Sequence, residues 1–149
     1  MTYTSPLWPV SVKGVAFDAR GRVLLLRNER DEWELPGGRL EIGCAGGEQV
    51  PDLSPEAALE REVREETGWD VEVGPLLDGG VWIYQPFPGR RVLIVTYGCT
   101  VLTPERPPVV SHEHERLGLF SVGEVPGLTM PDGYKRAVVA WYGRGRRLA

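Results

Sequence analysis

Sulfur, histidine and long apolar stretches are scarce in this chain, and each scarcity excludes something. The two cysteines, Cys44 and Cys99, have no metal-type spacing and cannot form a disulfide framework. They read as free thiols, expected in a reducing, cytoplasmic setting. The two histidines, His112 and His114, share one short string, and a two-residue spacing on a loop is poor geometry for a metal pair. No apolar run approaches the roughly 18 to 20 residues of a membrane helix. The opening MTYTSPLWPV has neither the basic start nor the apolar stretch of a signal peptide. A basic excess is missing too. The formal net charge of -4 argues against a general nucleic-acid binder, which needs a positive field. A phosphate-bearing ligand would therefore require cations gathered locally. Arg144, Arg146 and Arg147 form the one basic cluster, and a terminal run of this kind reads as a solvated, frayed end.

What is present suits one domain spanning residues 1–149, with ordinary fractions of hydrophobic (42%) and charged (26%) residues. Val10 to Phe17 and Arg22 to Arg27 are β-rich runs around the turn Asp18-Ala-Arg-Gly21, a hairpin signal. Trp33 to Glu41 is extended but broken by Pro36, Gly37 and Gly38. Gly43 to Leu53 has three glycines, one proline and no apolar period, so a loop is expected. A helix must follow, with Ser54 as N-cap, Pro55 in its first turn and Gly68 as the left-handed stop. Val71–Leu76, Val81–Gln85 and Arg91–Leu102 are strand candidates, with a turn or mobile loop at residues 86–89. Leu117–Phe120 is a short strand, Ser121 and Glu124 have capping-box spacing, and Asp132–Tyr142 is a final helix. The sum is a mixed α+β layer fold.

The helix carries an unusual charge pattern. Glu62, Glu65 and Glu66 stand at i, i+3 and i+4, which puts three carboxylates on one face at mutually repelling distance. A hard divalent ion such as Mg²⁺, or Mn²⁺ in its place, would relieve that repulsion and bridge to phosphate. The plainer reading is a solvated acidic face relieved by partners such as Glu60 with Arg64. Context decides between the two.

That context is Trp33-Glu-Leu-Pro-Gly-Gly-Arg-Leu-Glu41 upstream and Arg61-Glu-Val-Arg-Glu-Glu-Thr-Gly-Trp69 downstream. Here the chain resembles the Nudix hydrolase family, whose signature is Gly, five residues, Glu, seven residues, then Arg-Glu-aliphatic-x-Glu-Glu-x-Gly-aliphatic. Gly38 matches the opening and Arg61–Gly68 matches the second half, with Trp69 where an aliphatic residue is usual. The likeness extends over roughly residues 10 to 142 and implies an α/β/α sandwich with a mixed sheet and a catalytic loop-helix at 38–69.

One departure stands out. Twenty-two residues separate Gly38 from Arg61 where the family has 13, a nine-residue insertion. The family's upstream Glu braces the loop-helix against the motif Arg. Its slot here falls on Cys44 or on Leu53, depending on the end counted from, and neither side chain can serve. Glu48 and Asp52 are the acids within reach.

The resemblance implies hydrolysis of a phosphoanhydride in a nucleoside-diphosphate-linked substrate. ADP-ribose or a related nucleotide sugar leads, a non-standard nucleoside triphosphate follows, and a non-catalytic sensor on the same fold is the remaining alternative. It implies metal ligation by Glu62, Glu65, Glu66 and the Gly38 carbonyl, with Arg61 orienting a ligand. Glu113 and Glu115 are loop candidates for general base. For substrate contact, Arg27 and Arg39 flank the motif, and Trp33 and Tyr134 are among the aromatic candidates together with Trp82, Tyr84 and Phe87; strand aromatics are more often packing. The partner is a nucleotide-derived small molecule, neither nucleic acid nor membrane. A homodimer is compatible with the sequence, which leaves the oligomeric state open.

Overall fold

The computed structural model describes residues 2–45, 48–109 and 116–148, with the side chains of 43–50 and 146–148 outside that description. Nine strands and two helices follow in the order β1 (Val10–Val15), β2 (Val23–Arg27), β3 (Trp33–Glu34), β4 (Gly37–Arg39), β5 (Ile42–Ala45), β6 (Glu48–Pro51), α1 (Pro55–Thr67), β7 (Val71–Phe87), β8 (Arg90–Val101), β9 (Arg116–Phe120) and α2 (Asp132–Leu148). A 3-10 turn at Val125–Gly127 precedes α2.

The central sheet has the order β4-β1-β8-β7. β1 and β8 run parallel, while the outer pairings are antiparallel. Alternation along β1 divides the core. Val12 and Ala16 join Leu59, Val63 and Trp69 beneath α1, whereas Val15 joins Ile94, Tyr134, Ala137 and Val138 beneath α2. Period-two side-chain alternation thus supplies both faces of one α/β/α sandwich. Lys13 and Ser11 have the parity of Val15, which places a charge in the same buried row as the α2-side core.

α1 has the ends that its sequence requires. Ser54 Oγ accepts from Ala57 N–H at 3.2 Å, Pro55 begins the helix, and Gly68 closes it at φ 72° while its N–H donates to Arg64 O. Trp69 folds back with no exposure. Ser121 and Glu124 are bonded as their spacing predicts, since Ser121 N–H and Oγ–H both lie 3.0 Å from Glu124 Oε1.

Four expectations are corrected. The hairpin between β1 and β2 is short: the turn closes with Asp18 N–H donating to Arg22 O, Leu24 N–H donating to Ala16 O and the antiparallel bridge Phe17–Val23, beyond which β2 pairs with β3 and β9 in a second sheet. Val71–Leu76 and Val81–Gln85 are one strand, because bulges at Val73/Leu76 and Leu76/Val81 absorb the Gly- and Pro-rich residues that look like a break. Pro86 and Phe87 belong to that strand, leaving only Pro88 and Gly89 as the turn. α2 runs on to Leu148, past the end at Tyr142 that the sequence suggests.

Residues 43–45 and 48–51 are strand where a loop is expected. β5 and β6 pair antiparallel, with Ile42 opposite Pro51 and Ala45 opposite Glu48. The ribbon is closed at its base by Asp52 N–H donating to Glu41 O at 2.8 Å. Cross-strand backbone bonding, not an apolar period, holds this excursion together, so pattern-reading has nothing to find.

Candidate active site

The glycine pair brings β4 against α1. Gly37 has φ 133°, and a Cβ there would lie 2.0 Å from Val12 O, so no side chain fits. Its N–H donates to Glu66 Oε1 at 3.1 Å. A Cβ on Gly38 would meet the Glu62 carboxylate at 2.8 Å. The two glycines therefore let the backbone approach both acids closely. Glu66 is 4% exposed, Glu62 has a side chain 16% exposed, and that of Glu65 is 62% exposed. Burial, reinforced by the like charge of Glu65, holds the Glu62 carboxyl above its usual range, although the Arg61 hydrogen bond pulls the other way. Among the described residues no three acidic, His or Cys side chains converge as a ready-made metal cage.

Arg61 is clamped from the inserted ribbon. Its Nη1 and Nη2 donate to Asp52 Oδ1 and Oδ2 at 2.9 and 3.3 Å, and Nη2 lies 3.5 Å from Glu62 Oε1. Glu41 N–H donates to Asp52 Oδ2 at 2.8 Å. These hydrogen bonds hold the Asp52 carboxyl below its ordinary value. Asp52 therefore contacts the motif arginine that the family's upstream Glu would brace, although it stands one residue before the slot counted back from Arg61. Arg64, by contrast, pairs with Asp70 at 2.8 Å and not with Glu60.

On the other side of Gly37 and Gly38 lies a cavity of about 600 Å³. Five cations line it, Lys13, Arg27, Arg30, Arg39 and Arg90, against the carboxylates of Glu29 and Glu34. A chain of net charge -4 has thus gathered positive charge where a phosphate ligand would need it. Tyr84, Phe87 and Tyr134 supply aromatic wall. Tyr84 is fixed by donating to Glu32 Oε1 at 2.8 Å, and burial pushes its hydroxyl up to about 12. Arg27 Nε is buried with no hydrogen-bond partner among the described residues, and its guanidinium lies 5.8 Å from the Trp33 ring centre.

The expected substrate residues separate on these coordinates. Arg27, Arg39 and Tyr134 line the cavity, as do Tyr84 and Phe87. Trp33 is not part of its wall; it packs edge-on against Phe120 at 4.7 Å. Trp82 packs on Tyr84 and Tyr134. Glu113 and Glu115, with His112 and His114, lie outside the described residues. Sequence reasoning missed Lys13. The available signal was a lone charge inside the apolar run Val10–Phe17, where Lys is almost never buried unless partnered. Burial alone would lower its pKa, but the coulombic influence of Tyr134 and of the carboxylates Glu34, Glu66 and Glu62 outweighs this and holds the ammonium above its ordinary value.

A family model described as NUDIX domain matches residues 7–142, and the chain belongs to the Nudix family. A MutT-like protein of Streptomyces ambofaciens is 46% identical over 72 residues, covering 48% of this chain and 41% of that protein. A Bacillus subtilis protein, YjhB, provisionally named an ADP-ribose pyrophosphatase, is 38% identical over 73 residues, covering 48% and 30%. The aligned part of the chain thus spans less than half the length of either curated relative. The MutT protein of Methanosarcina mazei has the same fold, with TM-score 0.71 and 24% identity over 97% of this chain and 99% of that one. Among the described residues no helix is long and apolar enough to cross a membrane.

Proposed function

We propose that the chain hydrolyses a phosphoanhydride bond in a nucleoside-diphosphate-linked substrate with a divalent metal ion, ADP-ribose or a related nucleotide sugar being the leading substrate. The observation that carries this reading is the cationic cavity ending at Gly37 and Gly38, where Glu62 and Glu66 close in from α1. Membership of the Nudix family supports the reaction class, and the name of the B. subtilis relative supports ADP-ribose.

Glu62, Glu65, Glu66 and the Gly38 carbonyl are the groups that would hold the metal. The donor set fits Mg²⁺ or Mn²⁺ without a closed cage, since Mg²⁺ keeps several waters and takes one or two carboxylates together with substrate phosphate. When bound, such an ion neutralises charge on phosphate oxygens and lowers the pKa of water. The protein's own contribution is positional. Asp52 holds Arg61, and Arg61 reaches Glu62; the Gly37 amide fixes Glu66. Arg27, Arg39 and Arg90 receive phosphate charge, while Tyr84, Phe87 and Tyr134 wall the organic part of the substrate from water. Retention of all three glutamates against their mutual repulsion is hard to reconcile with a sensor that has given up metal chemistry.

The test is product chromatography after incubation with Mg²⁺ and a panel of ADP-ribose, nucleotide sugars and nucleoside triphosphates. ADP-ribose yielding AMP and ribose 5-phosphate is the expected result. Cleavage of triphosphates alone would replace the substrate, and cleavage of nothing in the panel would sink the hydrolase reading.

A further inference from the structure

Lys13 is an ammonium built into a β-strand and lodged between the carboxylate pair and the cavity. Its side chain is 8% exposed, yet it lines the cavity alongside Gly37 and Gly38. An ammonium has three donors. One goes to Leu35 O at 3.2 Å, and Glu34 Oε1 stands at 3.9 Å, an ion pair too long for a hydrogen bond. The Tyr134 ring centre lies 6.0 Å from Nζ. A buried lysine is costly unless its charge is answered. The carboxylates of Glu34, Glu66 and Glu62 answer the charge, but anchoring Leu35 engages one donor and leaves the others without a hydrogen bond among the described residues. The arginines lining this cavity are exposed or half-exposed, whereas Lys13 is the buried cation among the described residues that line it.

We propose that Lys13 is a phosphate ligand of this site, binding an oxygen of the substrate's diphosphate at the floor of the cavity and making affinity depend on that negative charge. This rests on the hydrolase reading for the identity of the substrate, but the binding step needs neither turnover nor metal. A phosphate oxygen suits the donors that Leu35 leaves over better than a sugar hydroxyl, because a charge-assisted hydrogen bond is about twice as strong as a neutral one.

The experiment is equilibrium binding of inorganic pyrophosphate to the full chain in EDTA, with adenosine as the uncharged control. Lys13→Met removes donors and charge, Lys13→Gln keeps a neutral donor toward Leu35, and Lys13→Arg keeps charge. Pyrophosphate affinity should fall at least about tenfold in the Met and Gln variants and by less in the Arg variant, as expected for a hydrogen bond between charged groups. Adenosine affinity should stay unchanged. If the Met variant does not fold, the Gln variant carries the comparison, with thermal melts as the check. Equal pyrophosphate affinity across wild type and Gln, no pyrophosphate binding by wild type, or an equal loss for adenosine overturns the proposal. A wild-type chain that binds pyrophosphate through Lys13 but cleaves no nucleotide derivative leaves this ligand standing and removes only the hydrolase reading.

Discussion

At the scale of single residues, Asp52 and Lys13 show what spacing can and cannot reveal. A motif written as fixed intervals has no slot for Asp52, since a nine-residue insertion detaches the brace from its usual count. The bidentate geometry to Arg61 makes the substitution visible. Asp52→Asn should cost about 1 kcal/mol of stability or less, because Arg61 is partly exposed. Activity should fall more steeply, about 10- to 100-fold, as for other groups that orient a metal ligand from behind. Asp52→Glu should restore part of it. The pH dependence has a definite sign. Because the folded-state pKa of Asp52 is depressed below 3.8, its stabilisation is complete above that value and is lost as pH falls through the folded pKa. The melting-temperature gap between wild type and Asp52→Asn should therefore be flat from pH 7 to 5 and close only below about 3.8. A gap closing near pH 6 would mean that another group carries it.

Among the elements, α1 was legible because its signals are local: Ser54, Pro55 and Gly68 specify their own backbone states. β7 was half legible, since Gly74, Pro75, Gly79 and Gly80 read as a break while cross-strand pairing to β8 carries the chain over them. β1 and β2 were legible as strands, but their partners, Arg39 to Gly37 for one and Phe120 to Arg116 for the other, are set by tertiary packing. The β5–β6 ribbon was not legible at all. It is nonetheless testable as a unit. Replacing residues 44–53 with one Glu restores the family spacing, and closing a shorter loop changes the entropic cost by little, each doubling of length adding only about 0.6 kcal/mol. The expected product is a folded, metal-dependent enzyme with altered substrate preference, read by melting and by the substrate panel. The same deletion closed with Ala lacks the brace for Arg61 and should lose activity about as Asp52→Asn does. Unfolding of both deletions would show that the ribbon supports the core.

On the scale of the whole molecule, the separation of charge is what a composition hides. A net charge of -4 argues against a general nucleic-acid binder, but says nothing about where 17 basic side chains sit. Five of them line one cavity of about 600 Å³, and the low-dielectric walls of such a cleft focus their field. Local and global charge can be separated by paired reversals. Arg39→Glu with Arg90→Glu reverses two cavity positions; Arg20→Glu with Arg106→Glu reverses two residues lining a second hollow formed by Asp18, Trp69 and Pro104. Each reversal removes two units of charge, so both double variants have the same net charge. If the focused field captures the substrate, the cavity pair should raise KM for ADP-ribose at least about tenfold in 0.02 M salt. The remote pair should change it by less than about twofold. Raising salt toward 0.5 M should shrink the difference for the exposed arginines, because the screening length falls below about 10 Å beyond 0.1 M. Equal effects of the two pairs would assign capture to net charge alone, and the cavity would then lose its claim as the phosphate site.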